Sequence, residues 1–131
     1  MGRRVFSQVI ACLIPGLGRA FASSLSGRLL PRVPPALLTS DGEVVLDGDL
    51  PSLAVLGDPR LRDVSVEVRG SRLADGRFKV GPIHTRSIVV LKENRRWAVT
   101  YWCDTCSIRT YSPGTCACCQ EETVLDLQPA E

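Results

Sequence analysis

The stretch Val64–Gly70, with the sequence Val-Ser-Val-Glu-Val-Arg-Gly, carries the clearest structural signal of this chain. Its valines alternate with polar residues, which is the period of a β-strand with one buried and one solvent-exposed face. We expect the three valines to be buried and the side chains between them to face solvent, namely Ser65, Glu67 and Arg69. No strong helical stripe occurs elsewhere, so the sequence predicts a mostly β domain.

Short apolar runs separated by turn residues continue on both sides of this strand. The runs are Glu43–Leu46, Leu53–Leu56, Phe78–Val80, Ile88–Leu91 and Trp97–Trp102. Asp47-Gly48 and Asp75-Gly76 are turn signals, and the polar segment Lys92–Arg96 is typical of a hairpin loop. Five or six short strands at this spacing predict a small barrel or sandwich. For Leu50–Leu56, one short helix is the alternative.

The segments Leu53–Leu56, Asp58–Leu61 and Val64–Gly70 together resemble the strand 1–3 region of bacterial exported OB-fold proteins. The resemblance covers residues 42–102 and implies a small OB-like barrel. OB barrels often bind nucleic acid through aromatic faces. Aromatic residues make up only 5% of this chain, so nucleic acid is not the expected partner.

The first 22 residues have the order of an export signal. A basic start with Arg3 and Arg4 precedes a moderately apolar stretch, and Ala20-Phe21-Ala22 is a small-x-small site of the kind that signal peptidases cleave. The segment Arg3–Phe6 resembles a twin-arginine signal, although Ser7 stands where a hydrophobic residue is usual. We expect a cleaved signal peptide over 1–22 and a periplasmic or extracellular protein. The general secretory route and an amphipathic helix of a cytosolic protein are the alternatives.

Two further features of the sequence bear on membranes and charge. Val9–Cys12 fits a lipobox, which makes a lipid anchor on Cys12 a lesser alternative to cleavage. No run of about 18 apolar residues occurs, so no membrane-spanning helix is expected in the mature chain.

The formal charge of +2 depends on three arginines in residues 1–22; without them, 13 basic residues face 14 acidic residues. Such a near-neutral chain attracts nucleic acid only weakly.

Proline content and cysteine content divide the rest of the chain. Pro31, Pro34 and Pro35 favour an extended tether over residues 23–41. A small β-domain over 42–101, a cysteine-rich ribbon over 102–127 and a short tail over 128–131 are expected to follow. The domain is small, and domains of this size often need additional stabilisation, for example by a bound metal ion.

The cysteine-rich segment carries the chemistry. Cys103-Asp-Thr-Cys106 is followed after nine residues by Cys116-Ala-Cys-Cys119, with Pro113-Gly114 available for a turn between them. Two cysteines at i and i+3 on a tight turn direct both thiolates to one point, and two such turns across a hairpin form a tetrahedral four-sulfur site. This pattern resembles a short zinc ribbon. It implies one structural Zn²⁺ bound by Cys103, Cys106, Cys116 and Cys119.

Three alternatives use the same cysteines. Trp102–Cys106 resembles the WCxxC motif of thioredoxin-like oxidoreductases, in which the first cysteine is the nucleophile. A rubredoxin-like site would hold iron in the same four-thiolate cage. Plain disulfides are the third alternative, although five cysteines after residue 22 leave one over. Cys118 is either a packed small residue or a reactive thiol beside the metal, and His84 is either a surface residue or a ligand.

These observations together predict an exported, zinc-binding module of the bacterial envelope that binds or scaffolds a protein partner. We identify no catalytic residues and no site for an organic cofactor, because no nucleophile–base pair or carboxylate pair stands out. The alternative is a thiol–disulfide redox protein or an iron–thiolate electron-transfer protein that uses the same cysteines.

Overall fold

Residues 23–130 are described by a computed structural model, in which nine strands and two short α-helices follow one another. The predicted signal peptide, with Cys12, lies outside the described residues. A 3-10 turn over Pro59–Leu61 follows the first helix. The elements are β1 (Ser23–Leu30), β2 (Ala36–Thr39), β3 (Gly42–Asp47), α1 (Leu50–Leu56), β4 (Ser65–Arg72), β5 (Phe78–Val80), α2 (His84–Ser87), β6 (Ile88–Lys92), β7 (Arg95–Cys103), β8 (Ile108–Thr110) and β9 (Val124–Pro129).

The first five strands close into a barrel in the order β1-β2-β3-β5-β4. All neighbours are antiparallel except β3 and β5, and β4 closes the ring by pairing with β1. The long strand β1 takes part in both neighbouring ladders, because Ser23–Arg28 pairs with β4 and Arg28–Leu30 with β2. With α1 between the third and fourth strands, this is an OB-like arrangement. The predicted mostly β, OB-like barrel is confirmed.

Two glycines allow the barrel strands to come close. Gly70 pairs with Ser23 on β1 and also with Val80 on β5. A Cβ atom at Gly70 would overlap the carbonyl oxygen of Lys79, and one at Gly27 would overlap that of Leu38. Glycine is therefore required where the backbone of one barrel strand crosses close to its neighbour.

The alternating valine stretch forms β4 and faces the core as predicted. Val66 and Val68 are fully buried, and Val64, just before the strand, is half-buried against the same core. Ser65 and Arg69 are exposed. Glu67 is the exception on the outer face, since its carboxylate lies 2.6 Å from the guanidinium of Arg96 and is partly covered by it.

The predicted tether over 23–41 is wrong, because most of this segment belongs to the barrel as β1 and β2. Leu25, Gly27 and Leu29 point inward, while Ser24, Ser26 and Arg28 are exposed. The prolines are confined to the connection between the two strands, residues 31–35. The prolines that follow β1 favoured a tether, although the alternation within this Ser/Gly-rich segment is that of a β-strand.

The OB resemblance assigned residues 53–70 to the first three strands, and that assignment is also wrong. Leu50–Leu56 is α1, as the helical alternative predicted, and β4 is the fourth barrel strand. The Asp49 carboxylate caps α1 by accepting a hydrogen bond from Ser52 N at 3.0 Å. Asp47-Gly48 therefore leads into a helix instead of turning a hairpin.

The sheet continues from the barrel through β6 to β7, which pairs with both β8 and β9. The predicted loop over Lys92–Arg96 is a tight hairpin in which Glu93 and Asn94 both have positive φ, at 56° and 62°. Because β9 runs to Pro129, the predicted tail over 128–131 begins inside a strand. None of the helices in residues 23–130 is long and apolar enough to cross a membrane.

Candidate metal centre

Four thiols converge where β7 ends. The Sγ atoms of Cys103, Cys106, Cys116 and Cys119 all lie within 4.8 Å of one another. Those of Cys103 and Cys119 are 3.5 Å apart. A tetrahedral zinc with Zn–S bonds of about 2.3 Å requires sulfur–sulfur separations of about 3.8 Å. The donor set and its spacing therefore fit one tetrahedral ion bound by four thiolates.

Each CxxC pair lies on a tight turn of the C-terminal hairpin. Cys103 is the last residue of β7, and the chain returns through Cys106 into β8, where Ile108 pairs with Cys103. The second pair lies between β8 and β9 in a turn closed by hydrogen bonds from Gln120 N to Cys116 O, at 2.9 Å, and from Cys116 N to Glu121 O, at 2.8 Å. Gly114 has φ +130°, consistent with the turn predicted at Pro113-Gly114.

The two turns have the same backbone chemistry. The residue after each pair, Ser107 or Gln120, has positive φ, at 55° and 67°. The Sγ of Cys103 accepts a hydrogen bond from Cys106 N at 3.4 Å, and the Sγ of Cys116 accepts one from Cys118 N at 3.4 Å. Backbone N–H groups directed at sulfur favour the thiolate, which is the form that binds a metal.

The protonation of the four thiols reflects their crowding. Backbone N–H groups of Cys119 and Cys118 lower the pKa of Cys116 to about 7. A hydrogen bond with Cys118, together with burial, raises the pKa of Cys106 far above its ordinary value. At Cys103 the N–H of Cys106 favours the thiolate, but burial and the neighbouring thiols raise the pKa overall. Four close thiolates repel one another, and a divalent cation between them would offset that repulsion.

A buried polar network attaches the hairpin to the barrel. Thr123, which precedes β9, donates its hydroxyl to Gly114 O at 2.7 Å, while its own carbonyl accepts a hydrogen bond from Arg60 at 2.9 Å. Arg60 in turn forms an ion pair with Asp58 at 3.0 Å. The Asp58 carboxylate also accepts a hydrogen bond from Tyr101 of β7 at 2.8 Å. The second cysteine turn is thereby linked to the loop that follows α1.

The remaining candidate residues lie outside the four-sulfur cluster. Cys118 is exposed, although its thiol hydrogen bonds to Cys106. His84 Nε2 lies 2.7 Å from Tyr111 O, and His84 is not among the clustered ligands found in residues 23–130. Cys103 ends a strand and Cys106 leads into β8, so the WCxxC motif lacks the helix that follows it in thioredoxin-like proteins. The five cysteines of the described chain are free thiols.

The network around Asp58 was not predicted from the sequence. Asp58-Pro59 gives only a turn signal, and the network depends on Tyr101, 43 positions from Asp58, and on Thr123, 63 positions from Arg60. The positive-φ positions after each cysteine pair were also missed, because neither Ser107 nor Gln120 is a glycine. Compared with known protein families, curated proteins and solved structures, the chain gives no match.

Proposed function

We propose that this protein is an exported, non-catalytic binding or scaffold module of the bacterial envelope, and that one structural zinc ion holds its C-terminal hairpin. The observation that carries the proposal is the convergence of two CxxC turns on one point. Cys103, Cys106, Cys116 and Cys119 would bind the ion. Zinc supplies no redox chemistry there; it replaces the mutual repulsion of four thiolates with four metal–sulfur bonds.

Burial and ligand number favour a structural role for this site. Cys103 and Cys116 are 2% and 1% exposed, and four protein sulfurs leave no open position for a substrate. The free energy of metal binding at such a site contributes directly to folding. The chain has only 131 residues, 22 of them in the expected signal peptide, and the core of so small a domain benefits from the additional stabilisation of a bound metal ion.

Iron is the second candidate for the same cage, since a tetrahedral four-sulfur site suits both metals. An iron-loaded protein would be an electron carrier. Metal analysis of protein purified from its native host separates the two. We expect one zinc per chain, no visible absorption band and four metal-protected thiols with Cys118 reactive. A red protein with charge-transfer bands would replace zinc by iron and the scaffold role by electron transfer.

Export rests on the order of basic, apolar and small-residue regions in residues 1–22. The described barrel strands all lie after the expected cleavage site between Ala22 and Ser23. Twin-arginine export moves folded proteins and would let the site acquire its metal in the reducing cytosol. Unprotected thiols would instead tend to pair in an oxidising compartment.

N-terminal sequencing and a signal variant test the export proposal. The exported protein should begin at Ser23, and changing Arg3 and Arg4 together to Lys should block its export. A native N-terminus at Met1 in a cytosolic pool would contradict export. Unchanged export of the double variant would point to the general secretory route.

A further inference from the structure

A groove of about 440 Å³ lies on the outer face of the extended sheet, between α2 and the end of β9. Its lining residues belong to neither the four-cysteine cluster nor the Asp58 network. Three arginines from three different elements line it: Arg69 on β4, Arg86 on α2 and Arg96 on β7. Val89 and Ala98 also line it.

Strand register explains why these residues share one surface. Glu67 pairs with Val89 across β4 and β6, and Val89 pairs with Ala98 across β6 and β7. Paired residues point to the same face of a sheet, as do residues two apart on a strand. Arg69 and Arg96 therefore project from the same face as the small side chains of Val89 and Ala98. These two side chains form an apolar floor.

The groove carries more positive charge than its neighbours neutralise. The guanidinium of Arg96 forms an ion pair with Glu67 at 2.6 Å. Within the described part of the chain, Arg69 and Arg86 have neither an ion pair nor a side-chain hydrogen bond, and no acidic residue lines the groove. Two guanidinium groups thus border a pocket with an apolar floor and have no counter-ion among residues 23–130.

We propose that this groove binds a small phosphate-bearing molecule that carries at least two negative charges. The planar guanidinium group donates paired N–H bonds whose spacing matches two phosphate oxygens. The two arginines, which have no ion pair within residues 23–130, match a dianion, and the apolar floor offers contact to the uncharged part of the molecule. The volume of the groove falls within the range of small-molecule pockets. The proposal is independent of the metal centre.

Titration of the ¹⁵N-labelled, metal-loaded protein with pyrophosphate tests the proposal, with sodium chloride at matched ionic strength as the reference. We expect saturable amide shifts concentrated at Arg69, Arg86, Val89 and Ala98. Succinate, a dianion without phosphate, should bind at least about tenfold more weakly. Shifts that do not saturate, or shifts that fall elsewhere, would overturn the site. Equal binding of succinate would overturn the assignment to phosphate.

Matched charge variants separate a site from a general charge effect. Arg69→Gln and Arg86→Gln should each weaken pyrophosphate binding by about tenfold, the cost of a lost charge-assisted contact. Arg62→Gln removes the same charge from an exposed position outside the groove and should leave binding unchanged. All three positions are exposed, and circular dichroism checks that each variant remains folded. Equal weakening by all three variants would overturn the proposal.

Discussion

Replacing Asp58 by asparagine should loosen the attachment of the C-terminal hairpin to the barrel. The Asp58 side chain is 2% exposed and accepts hydrogen bonds from Tyr101 at 2.8 Å and from Arg60 Nε at 3.0 Å. Arg60 also donates a hydrogen bond to the Thr123 carbonyl oxygen at 2.9 Å. Asparagine keeps one acceptor oxygen but turns an NH₂ group toward a donor. It also leaves Arg60 without its counter-charge.

The expected cost follows from the burial of the two partners. Removing one member of a buried ion pair costs about 3–5 kcal/mol. The Arg60 side chain is 35% exposed, so water compensates part of the loss and the expected cost falls to about 2 kcal/mol. For a domain of this size, that change lowers the melting temperature by roughly 8–16 °C.

The effect of Asp58 should depend on pH with a defined sign. Burial acts to raise the pKa of Asp58, but hydrogen bonds from Arg60 and Tyr101 together outweigh it and hold the pKa below its ordinary value of 3.8. A carboxyl group whose pKa is lower in the folded protein than in the unfolded chain stabilises the fold at pH values above the unfolded-chain pKa. This stabilisation is lost as the pH falls through the pKa of the folded protein. The difference between wild type and variant should therefore be full at pH 7 and shrink below about pH 4.

Urea and thermal unfolding, followed by circular dichroism, measure this prediction on zinc-loaded protein. Both proteins keep the same cysteines, so loss of metal in acid affects them alike. Asp41→Asn is the matched control, because Asp41 lies exposed in the β2–β3 turn and its carboxylate has no partner among residues 23–130. It should change stability by less than about 0.5 kcal/mol. An equally small effect of Asp58→Asn at pH 7, or a difference that grows in acid, would contradict the role of Asp58 in attaching the hairpin.

Three further predictions concern the core, the barrel closure and the metal ligands. Val68→Ala, at a fully buried position, should cost about 2–3 kcal/mol in urea unfolding, whereas Val33→Ala, at a 98% exposed position, should cost almost nothing. Gly70→Ala should destabilise the barrel strongly because its Cβ would overlap the Lys79 carbonyl oxygen, whereas the Cβ of Gly48→Ala meets the protein no closer than 3.4 Å and should be tolerated. Serine at any one of the four clustered cysteines should release zinc and unfold the hairpin, whereas Cys118→Ser should retain zinc in a metal assay. Zinc retained by the four single variants would contradict the ligand set.

The parts of the fold that were predicted are those encoded by local patterns. The alternation in β4 and the polar hairpin at Lys92–Arg96 depend on neighbouring residues; the structure has both, although its turn is limited to Glu93 and Asn94. The spacing of the cysteines likewise indicated which four thiols converge, because i and i+3 on a turn is a local constraint.

The parts that were missed depend on contacts distant in the sequence. β1 carries the same alternation as β4, but its inward positions include Gly27 and its outward ones two serines, so the hydrophobic signal is weak. Its strand character comes from pairing with β4, about forty residues later. The arginine groove is also a product of register, since Arg69, Arg86 and Arg96 are brought together only when β4, α2 and β7 pack.

X-ray absorption at the zinc edge, on protein purified with its native metal, tests the metal centre most directly. We expect one zinc per chain surrounded by four sulfur atoms at about 2.3 Å, with no nitrogen or oxygen in the shell. The four sulfurs should be those of Cys103, Cys106, Cys116 and Cys119, which already lie within 4.8 Å of one another. A metal-free, folded protein with a disulfide between Cys103 and Cys106, or a zinc shell that contains nitrogen or oxygen, would contradict it.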